Sequence, residues 1–156
     1  MLEEIAATPL GDLSMREPVR VQGDATLIDV VTAMRERRRG AAIVEDGDGR
    51  LVGIFTERDL MLRVDHGTTD WHKAPVRDVM TEKPASMSAT ETLANALNRM
   101  KAGSFRHMPV IDDKGVAIGI ASVRDILRHI VEHFPEEFIN LPPDPEHEAP
   151  RKPWGG

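Results

Sequence analysis

The chain contains two copies of one sequence pattern, separated by a constant offset of 66 residues. Shifting the sequence by this offset aligns residues 12–64 with residues 78–130 without a gap, and 12 of the 53 aligned positions are identical. A chance alignment of two segments of ordinary composition gives about three identities. A duplication constrains the fold strongly, because both copies must form the same elements and bury the same faces.

Both copies show the same order of predicted elements. Apolar side chains recur at the helical spacing i, i+3, i+4, i+7 from Leu27 and again from Leu93, which predicts an amphipathic helix in each copy. Two short apolar runs around a Gly/Asp turn follow and predict a β-hairpin. A second helix is predicted from Glu57 and from Val123. With a short extended segment before the first helix, each copy is a βαββα unit of the α+β class.

The sequence divides into two such units and a tail. The first unit covers residues 10–66, the second covers residues 76–134, and a proline-rich C-terminal tail covers residues 135–156. A unit of about 50 residues has little interior of its own, so we expect the two to pack around a pseudo-twofold axis with clefts between them. The tail holds six of the eleven prolines and is predicted to be extended.

Composition and charge exclude several classes of function. The chain has no cysteine, which excludes disulfides and thiolate metal sites. Its net charge of −6 argues against a nucleic-acid-binding protein, which normally carries a basic surface. The apolar runs are far shorter than the roughly 20 residues that a membrane-spanning helix requires. No secretory signal is visible at the N-terminus, so a cytoplasmic location is expected.

The strongest local motif lies where the hairpin meets the second helix. Residues 53–59 read Gly-Ile-Phe-Thr-Glu-Arg-Asp, and residues 119–125 read Gly-Ile-Ala-Ser-Val-Arg-Asp. One interpretation is a helix cap, with a hydroxyl residue at the N-cap and an acid three residues later. The other is a ribose phosphate site, in which free amides and the arginine bind phosphate and the acid accepts from the ribose hydroxyls. Its occurrence at both equivalent positions favours the second interpretation.

Together with two further segments, this motif resembles a tandem pair of cystathionine β-synthase (CBS) domains, called a Bateman module. The segments are Val-Arg-Asp-Val-Met-Thr at residues 76–81 and Arg-His-Met-Pro-Val at residues 106–110, and the resemblance covers about residues 10–133. It implies two βαββα repeats packed sheet against sheet, two inter-repeat clefts for adenosine-type ligands, and a disc-like homodimer.

The resemblance also implies a function. The chain would be a regulatory sensor of an adenine nucleotide (AMP, ADP or ATP) without catalytic activity, and it would act on an effector protein that the sequence does not identify. Two alternatives remain open. One is a sensor of NAD or S-adenosylmethionine, and the other is an interaction or scaffold dimer whose clefts stay empty.

Candidate ligand-binding residues follow from the resemblance, position by position. The first cleft would use Asp125 for the ribose, with Ser122, Val123, Arg124, Arg106 and His107 near the phosphate and Ser14, Val19, Gly40 and Ala41 from the first copy. The second would use Thr56, Arg58 and Asp59, with Met80 and Ala85 on the base side. Because Gly40 and Ala41 stand where the second copy has Arg106 and His107, this basic pair serves one cleft or lies between both. We expect the Asp125 cleft to bind a phosphorylated ligand more tightly.

Three other features carry less weight. The basic run at residues 35–39 follows the first helix, where cations are favourable at a helix C-terminus; alternatively it reaches a phosphate tail in the cleft or a partner. His129 and His133 share the i, i+4 spacing of a zinc motif, but Ile130 stands where that motif has its acid, and Glu132 is the one acid nearby, so no metal site is expected. Neither a nucleophile elbow nor a Walker lysine loop is present, so no catalysis is expected.

Overall fold

The computed structural model describes residues 2–134, and the prediction made for the tail therefore lies outside the described residues. The α-helices are α1 (Leu2–Ala7), α2 (Leu27–Arg37), α3 (Glu57–Leu62), α4 (Leu93–Gly103) and α5 (Val123–His133). The strands are β1 (Val19–Gln22), β2 (Ala41–Glu45), β3 (Leu51–Thr56), β4 (Thr81–Glu82), β5 (Met87–Ser88), β6 (His107–Ile111) and β7 (Ala117–Ser122). The order β1-α2-β2-β3-α3 recurs as β5-α4-β6-β7-α5, so the predicted α+β class and both βαββα repeats are confirmed.

Each repeat contributes one sheet. The first sheet has the order β1-β2-β3-β4, with β1 parallel to β2 and the other pairs antiparallel. The second has the order β5-β6-β7, with β5 parallel to β6 and β6 antiparallel to β7. Strand β4 was not predicted; it lies at the start of the second copy yet pairs with β3 of the first, where Thr81 faces Ile54. The parallel pairs are joined by α2 and α4, as parallel strands require a crossover connection.

The hairpin turns are built identically in the two repeats. The Oδ1 atoms of Asp46 and Asp112 each accept hydrogen bonds from the amides two and four residues further on, at 2.9–3.0 Å. Gly49 and Gly115 both have φ of 79°, a left-handed conformation that only glycine adopts without steric cost. The Asp and Gly residues that the sequence repeats in each turn are thus explained by backbone geometry.

Each hydrophobic core includes apolar residues from the segment that lies just before the first strand of the other repeat. Leu10 and Leu13 are buried in the second core, with apolar side chains of β5, α4 and β6. Val76 is equally buried in the first core, beside Leu27 and Phe55. The two repeats have therefore exchanged the short segments that come before them, and neither core is complete without the other half of the chain.

The hydrogen bonds of this exchange are reciprocal. The amide of Leu10 donates to the carbonyl of Glu91 at 2.8 Å, and the amide of Val76 donates to the carbonyl of Ala25 at the same distance. The isolated bridges between residues 9 and 92 and between residues 26 and 75 show the same relation. Replacing each partner by the residue at the equivalent position of the other copy, 66 positions away, converts one contact into the other. A pseudo-twofold axis between the repeats requires this relation. Within residues 2–134 no helix is long and apolar enough to span a membrane.

Candidate functional site

Both repeated motifs open onto one continuous cleft of about 1630 Å³. The junction of β3 and α3 lines it from the first repeat, and the junction of β7 and α5 lines it from the second. The hairpins of the two repeats also meet at their turns, where the amide of Leu51 donates to the carbonyl of Gly115 at 3.1 Å. The two motifs line different parts of this cleft, which we call its Asp59 half and its Asp125 half.

The helix-cap interpretation of the motif is confirmed in both repeats. Thr56 Oγ1 donates to Asp59 Oδ2 at 3.1 Å and accepts from the Asp59 amide at 3.3 Å, and the Thr56 amide also donates to Oδ2 at 2.9 Å. Ser122 and Asp125 form the same capping box, with distances of 2.7, 3.1 and 3.2 Å. In each carboxylate, Oδ2 is therefore occupied by two hydrogen bonds, and Oδ1 is the oxygen that has capacity for a ligand.

The backbone amides at the two helix starts are also largely occupied. The Glu57 amide donates to the carbonyl of Gly40 at 3.0 Å, and the Val123 amide donates to the carbonyl of Arg106 at 3.1 Å. The next amide, on the arginine of each motif, makes no hydrogen bond to the described residues. A phosphate at either helix would thus meet one free amide and the arginine side chain, rather than a row of free amides.

Each motif carboxylate also faces an arginine on its own helix. Asp59 Oδ1 lies 3.4 Å from Arg63 Nε, and this arginine donates in addition to the carbonyl of Met80 at 3.0 Å. Asp125 Oδ1 lies 3.5 Å from a terminal nitrogen of Arg128. Asp59 is buried and Asp125 is partly buried. The remaining acceptor oxygen is therefore held more firmly in the first repeat than in the second.

His107 lies between the two motifs, at the contact of the repeats. A Cβ atom on Gly40 would come within 3.1 Å of His107 Nε2, so the glycine leaves space for the imidazole of the other repeat. Burial lowers the pKa of His107 below the ordinary 6.5; Glu57 and Asp125 oppose this shift, and two neighbouring arginines reinforce it. The ring is therefore neutral at pH 7. The sequence left open whether Arg106 and His107 serve one cleft or lie between both. His107 lies between the two halves of the cleft.

Most of the predicted ligand-binding residues line this cleft. They are Gly40, Ala41, Thr56, Arg58, Asp59, Ala85, Arg106, His107, Ser122, Val123, Arg124 and Asp125. The other three lie elsewhere. Val19 is buried in the first core because its side chain points inward from β1, Met80 lies against Gly53, and Ser14 is not among the lining residues.

The cleft is strongly basic, although the chain is acidic. Nine arginine and lysine residues line it and only three carboxylates do, in a chain whose net charge is −6. Sequence reasoning singled out Arg58, Arg106 and Arg124 and favoured a simple exposed helix end for residues 35–39. Three arginines of that run line the cleft together with Arg16 and Lys83. The run itself was the available signal; nothing in the sequence showed that Arg16 lies next to it.

The two histidines of α5 lie outside the cleft lining. Their rings stack with centroids 4.1 Å apart, and His133 Nδ1 lies 3.0 Å from the carbonyl oxygen of His129. His129 is buried. Within the described part of the chain, no three histidine, aspartate or glutamate side chains gather in the manner of a metal site.

Comparison with known proteins gives one consistent family. A family model described as "CBS domain" matches residues 10–66 and again residues 76–132. The mitochondrial CBS domain-containing protein CBSX3 of Arabidopsis thaliana is 35% identical over 122 residues, which cover 76% of this chain and 59% of that protein.

Two solved structures show the same fold. A CBS-domain containing protein from Agrobacterium tumefaciens superposes with a TM-score of 0.71 at 30% identity, covering 78% of this chain and 98% of that one. The structure of CBSX2 in complex with AMP has a TM-score of 0.69 at 24% identity, covering 80% and 96%.

Proposed function

This chain belongs to the CBS domain family, and on that premise we propose that it is a regulatory module that binds an adenine nucleotide without catalysing a reaction. The observation that carries the proposal is the duplicated junction of hydroxyl, arginine and aspartate, which opens twice onto one basic cleft. A nucleotide combines a phosphate, a diol and a flat apolar base. The cleft offers arginines, carboxylate oxygens and small side chains in the same space.

The hydrogen bonds already made by the motif restrict how a nucleotide binds. The ribose hydroxyls donate to Oδ1 of Asp125, because Oδ2 of that carboxylate is committed to the capping box. The phosphate binds the amide and guanidinium of Arg124, with Arg106 beside them, through charge-assisted hydrogen bonds. Gly40 and Ala41 line the opposite wall, and their small side chains leave space for the base.

Regulation follows from the position of the cleft between the repeats. A ligand that contacts both repeats favours whichever arrangement of them it binds more tightly, and it shifts their equilibrium only by that difference in affinity. A ligand would contact the second repeat at the Asp125 motif and would lie near His107, which contacts Gly40 of the first repeat. It would thereby couple the positions of the two repeats. The output passes to an effector protein or to a second copy of the chain.

Calorimetry with AMP, ADP, ATP, NAD and S-adenosylmethionine tests the proposal on the full chain and on Asp59→Ala and Asp125→Ala. We expect at least one adenine nucleotide to bind with Kd below about 1 mM, and at least one substitution to weaken it about tenfold, equivalent to about 1.4 kcal/mol. Thr92→Ala is the matched control: it removes the N-cap of α4, which accepts from the Asn95 amide at 3.3 Å and lies outside the cleft.

The control separates binding from folding. Loss of a helix cap costs about 1 kcal/mol of stability, so Thr92→Ala should lower stability as the aspartate variants do and leave the affinity unchanged. If no adenosine compound binds, the proposal is wrong, and a scaffold function becomes the better account. If S-adenosylmethionine alone binds, the phosphate assignment is wrong.

The same chain exposes an apolar surface suited to a second copy. Met61 of α3 is 76% exposed and Leu127 of α5 is 54% exposed, and the two occupy equivalent positions of the repeats. Leu62 and Val131 are exposed beside them. Large exposed apolar side chains grouped on helices mark protein contacts. We propose that these two helices form a homodimer contact at the rim of the cleft.

Sedimentation velocity tests the dimer. We expect the full chain to sediment at twice its 17.3 kDa mass, and Met61→Glu or Leu127→Glu to shift it towards the monomer at the same concentration. Ile118→Glu is the control, because this exposed apolar residue lies on β7 and not on either helix. A monomeric wild type, or an equal effect of Ile118→Glu, would contradict the proposed contact.

A further inference from the structure

Four arginines of the first repeat line the cleft, and we refer to them as the arginine cluster: Arg16, Arg35, Arg38 and Arg39. Within residues 2–134 none of the four forms an ion pair with a carboxylate. Two of them donate to backbone carbonyls instead: Arg16 to that of Arg38 at 3.5 Å, and Arg39 to that of Glu17 at 3.1 Å and to that of Arg37. The cluster therefore brings several positive charges together without an ion pair to a carboxylate of the described residues.

The positive charges of the cluster act on one another at Arg39. Partial burial lowers the pKa of Arg39, and the charges of Arg16 and Arg37 lower it further. Like charges at short range repel each other, and a bound anion reverses that cost. A surface arginine normally points into water or pairs with an acid. Three of the four are exposed to water, and their concentration around one cleft is the feature that favours an anionic ligand.

The cluster belongs to the Asp125 half of the cleft. Asp125 is the carboxylate whose charge opposes the shift on Arg39, so the two groups lie within electrostatic reach of each other. Arg39 also directly precedes Gly40, the residue that contacts His107 of the second repeat. A nucleotide whose ribose is held by Asp125 thus has the cluster beyond its first phosphate.

The other half of the cleft has no equivalent cluster. The positions related to the cluster by the 66-residue offset hold Glu82, Lys101, Ser104 and Phe105, which supply one cation and one anion. On that side Arg58 donates to the carbonyl of Ser104 at 3.2 Å, and Phe105 lines the cleft at the position of Arg39. The charge difference between the halves is therefore built from residues of the duplication that have diverged.

We propose that the Asp125 half selects a nucleotide with an extended phosphate chain, a triphosphate over a monophosphate, and that the arginine cluster binds its outer phosphates. This inference rests on the proposed nucleotide-binding function and specifies the number of phosphates. Each added phosphoryl group brings one or more negative charges and several acceptor oxygens, and the guanidinium forks of arginine match such oxygens in pairs. Arg124 and Arg106 hold the first phosphate, and the cluster extends the basic surface outward from it.

Calorimetry with adenosine, AMP and ATP tests the inference, at constant ionic strength and without divalent cations. The proteins are the full wild-type chain, the double variant Arg16→Gln/Arg39→Gln and the control Arg50→Gln. Arg50 is exposed and outside the cleft lining, so its substitution removes positive charge without touching the site. We expect ATP to bind wild type at least about tenfold more tightly than AMP, a difference of about 1.4 kcal/mol. The double variant should bring this ratio below about threefold and leave AMP affinity nearly unchanged, whereas Arg50→Gln should preserve the ratio.

The outcomes distinguish this inference from the function on which it rests. Equal affinities for AMP and ATP, or a ratio that survives the double substitution, would overturn the triphosphate selectivity and leave nucleotide binding intact. A ratio that falls equally in Arg50→Gln would assign the effect to overall charge and would also overturn it. If neither nucleotide binds wild type, the proposed function fails together with the inference. Thermal unfolding of each variant shows that a lost ratio is not a lost fold.

Discussion

The two halves of the cleft share one backbone and differ in the charges around it. In the first, Asp59 is only 8% exposed, and Arg63 holds it while also donating to the carbonyl of Met80. In the second, Asp125 meets Arg128 at 3.5 Å, and the arginine cluster lies beside it. In the first half the motif carboxylate is held by an arginine that is itself anchored to the backbone, whereas the second half adds four arginines that form no ion pair with a described carboxylate.

The difference shows which parts of a duplication can diverge. Arg38 and Ser104 end α2 and α4 with nearly the same left-handed φ, 53° and 54°, so the backbone was retained while the side chain changed from a cation to a hydroxyl. Gly49 and Gly115, whose backbone geometry requires glycine, remained identical. The glycines that the hairpin turns require are thus retained in both repeats, as are the arginine and aspartate of the motif, whereas other cleft positions, such as 38 and 104, have diverged.

The largest expected effect comes from the exchanged segments, through Leu10→Ala and Val76→Ala. Both residues are fully buried in the core of the opposite repeat. Removing a buried leucine side chain destabilises a protein by about 2–5 kcal/mol, through lost burial and the cavity that remains. The valine substitution removes two carbons instead of three, so about 1.5–3 kcal/mol is expected from the same terms. Urea unfolding of both variants measures the difference.

Ile28→Ala is the matched control for these substitutions. Ile28 is an exposed residue on α2, and surface substitutions usually change stability by less than about 0.5 kcal/mol. If Leu10→Ala were no more destabilising than Ile28→Ala, residues 8–15 would not be part of the second core. Equivalence of the repeats would be refuted if only one of the two core substitutions had a large effect.

The local elements could be predicted from the sequence, because they depend on short-range patterns. The starts of α2 and α4 follow from the apolar spacing that begins at Leu27 and Leu93, and both hairpins follow from the Asp and Gly residues of their turns. The exchange could not be predicted, because periodicity shows that Leu10 and Val76 are apolar and does not show which core buries them. Strand β4 was missed for a related reason. A segment of two residues is too short to show an alternation of apolar and polar side chains, and it forms a strand only because β3 offers a free edge.

The sequence predicted which residue types form the site, but it did not predict which residues lie next to them. The repeated motif identified the two aspartates, the two arginines and the hydroxyls that now line the cleft. The contact between Gly40 and His107 and the approach of Arg16 to Arg38 join distant parts of the chain, whereas the capping box that occupies each Oδ2 joins residues only three positions apart. A single sequence gives the local geometry of a cap, but only the packing of the two repeats decides what faces it.

The smallest expected effect concerns the arginines that hold the two motif carboxylates. Arg63→Gln should destabilise the protein by about 0.5–1 kcal/mol, because it removes an ion pair and a hydrogen bond to the Met80 carbonyl. Arg128→Gln should cost less than about 0.5 kcal/mol, because it removes an ion pair of a partly exposed arginine. Urea unfolding at low salt and at 1 M NaCl measures both, and the high-salt difference retains only the hydrogen-bond contribution, since salt screens the ion pairs.

Arg99→Gln separates the contribution of the hydrogen bond from that of the ion pair. Arg99 is exposed and donates to the carbonyl of Ser86 at 2.8 Å, and no ion pair of it is found within residues 2–134, so its substitution should match the salt-independent part of the Arg63 effect. If Arg128→Gln were as costly as Arg63→Gln, Asp125 would be held as firmly as Asp59, and its Oδ1 would have no advantage as an acceptor for a ribose hydroxyl. A smaller effect at Arg128 means that a ligand displaces a weaker interaction there. The half with the arginine cluster would then also be the half whose carboxylate is easier to engage.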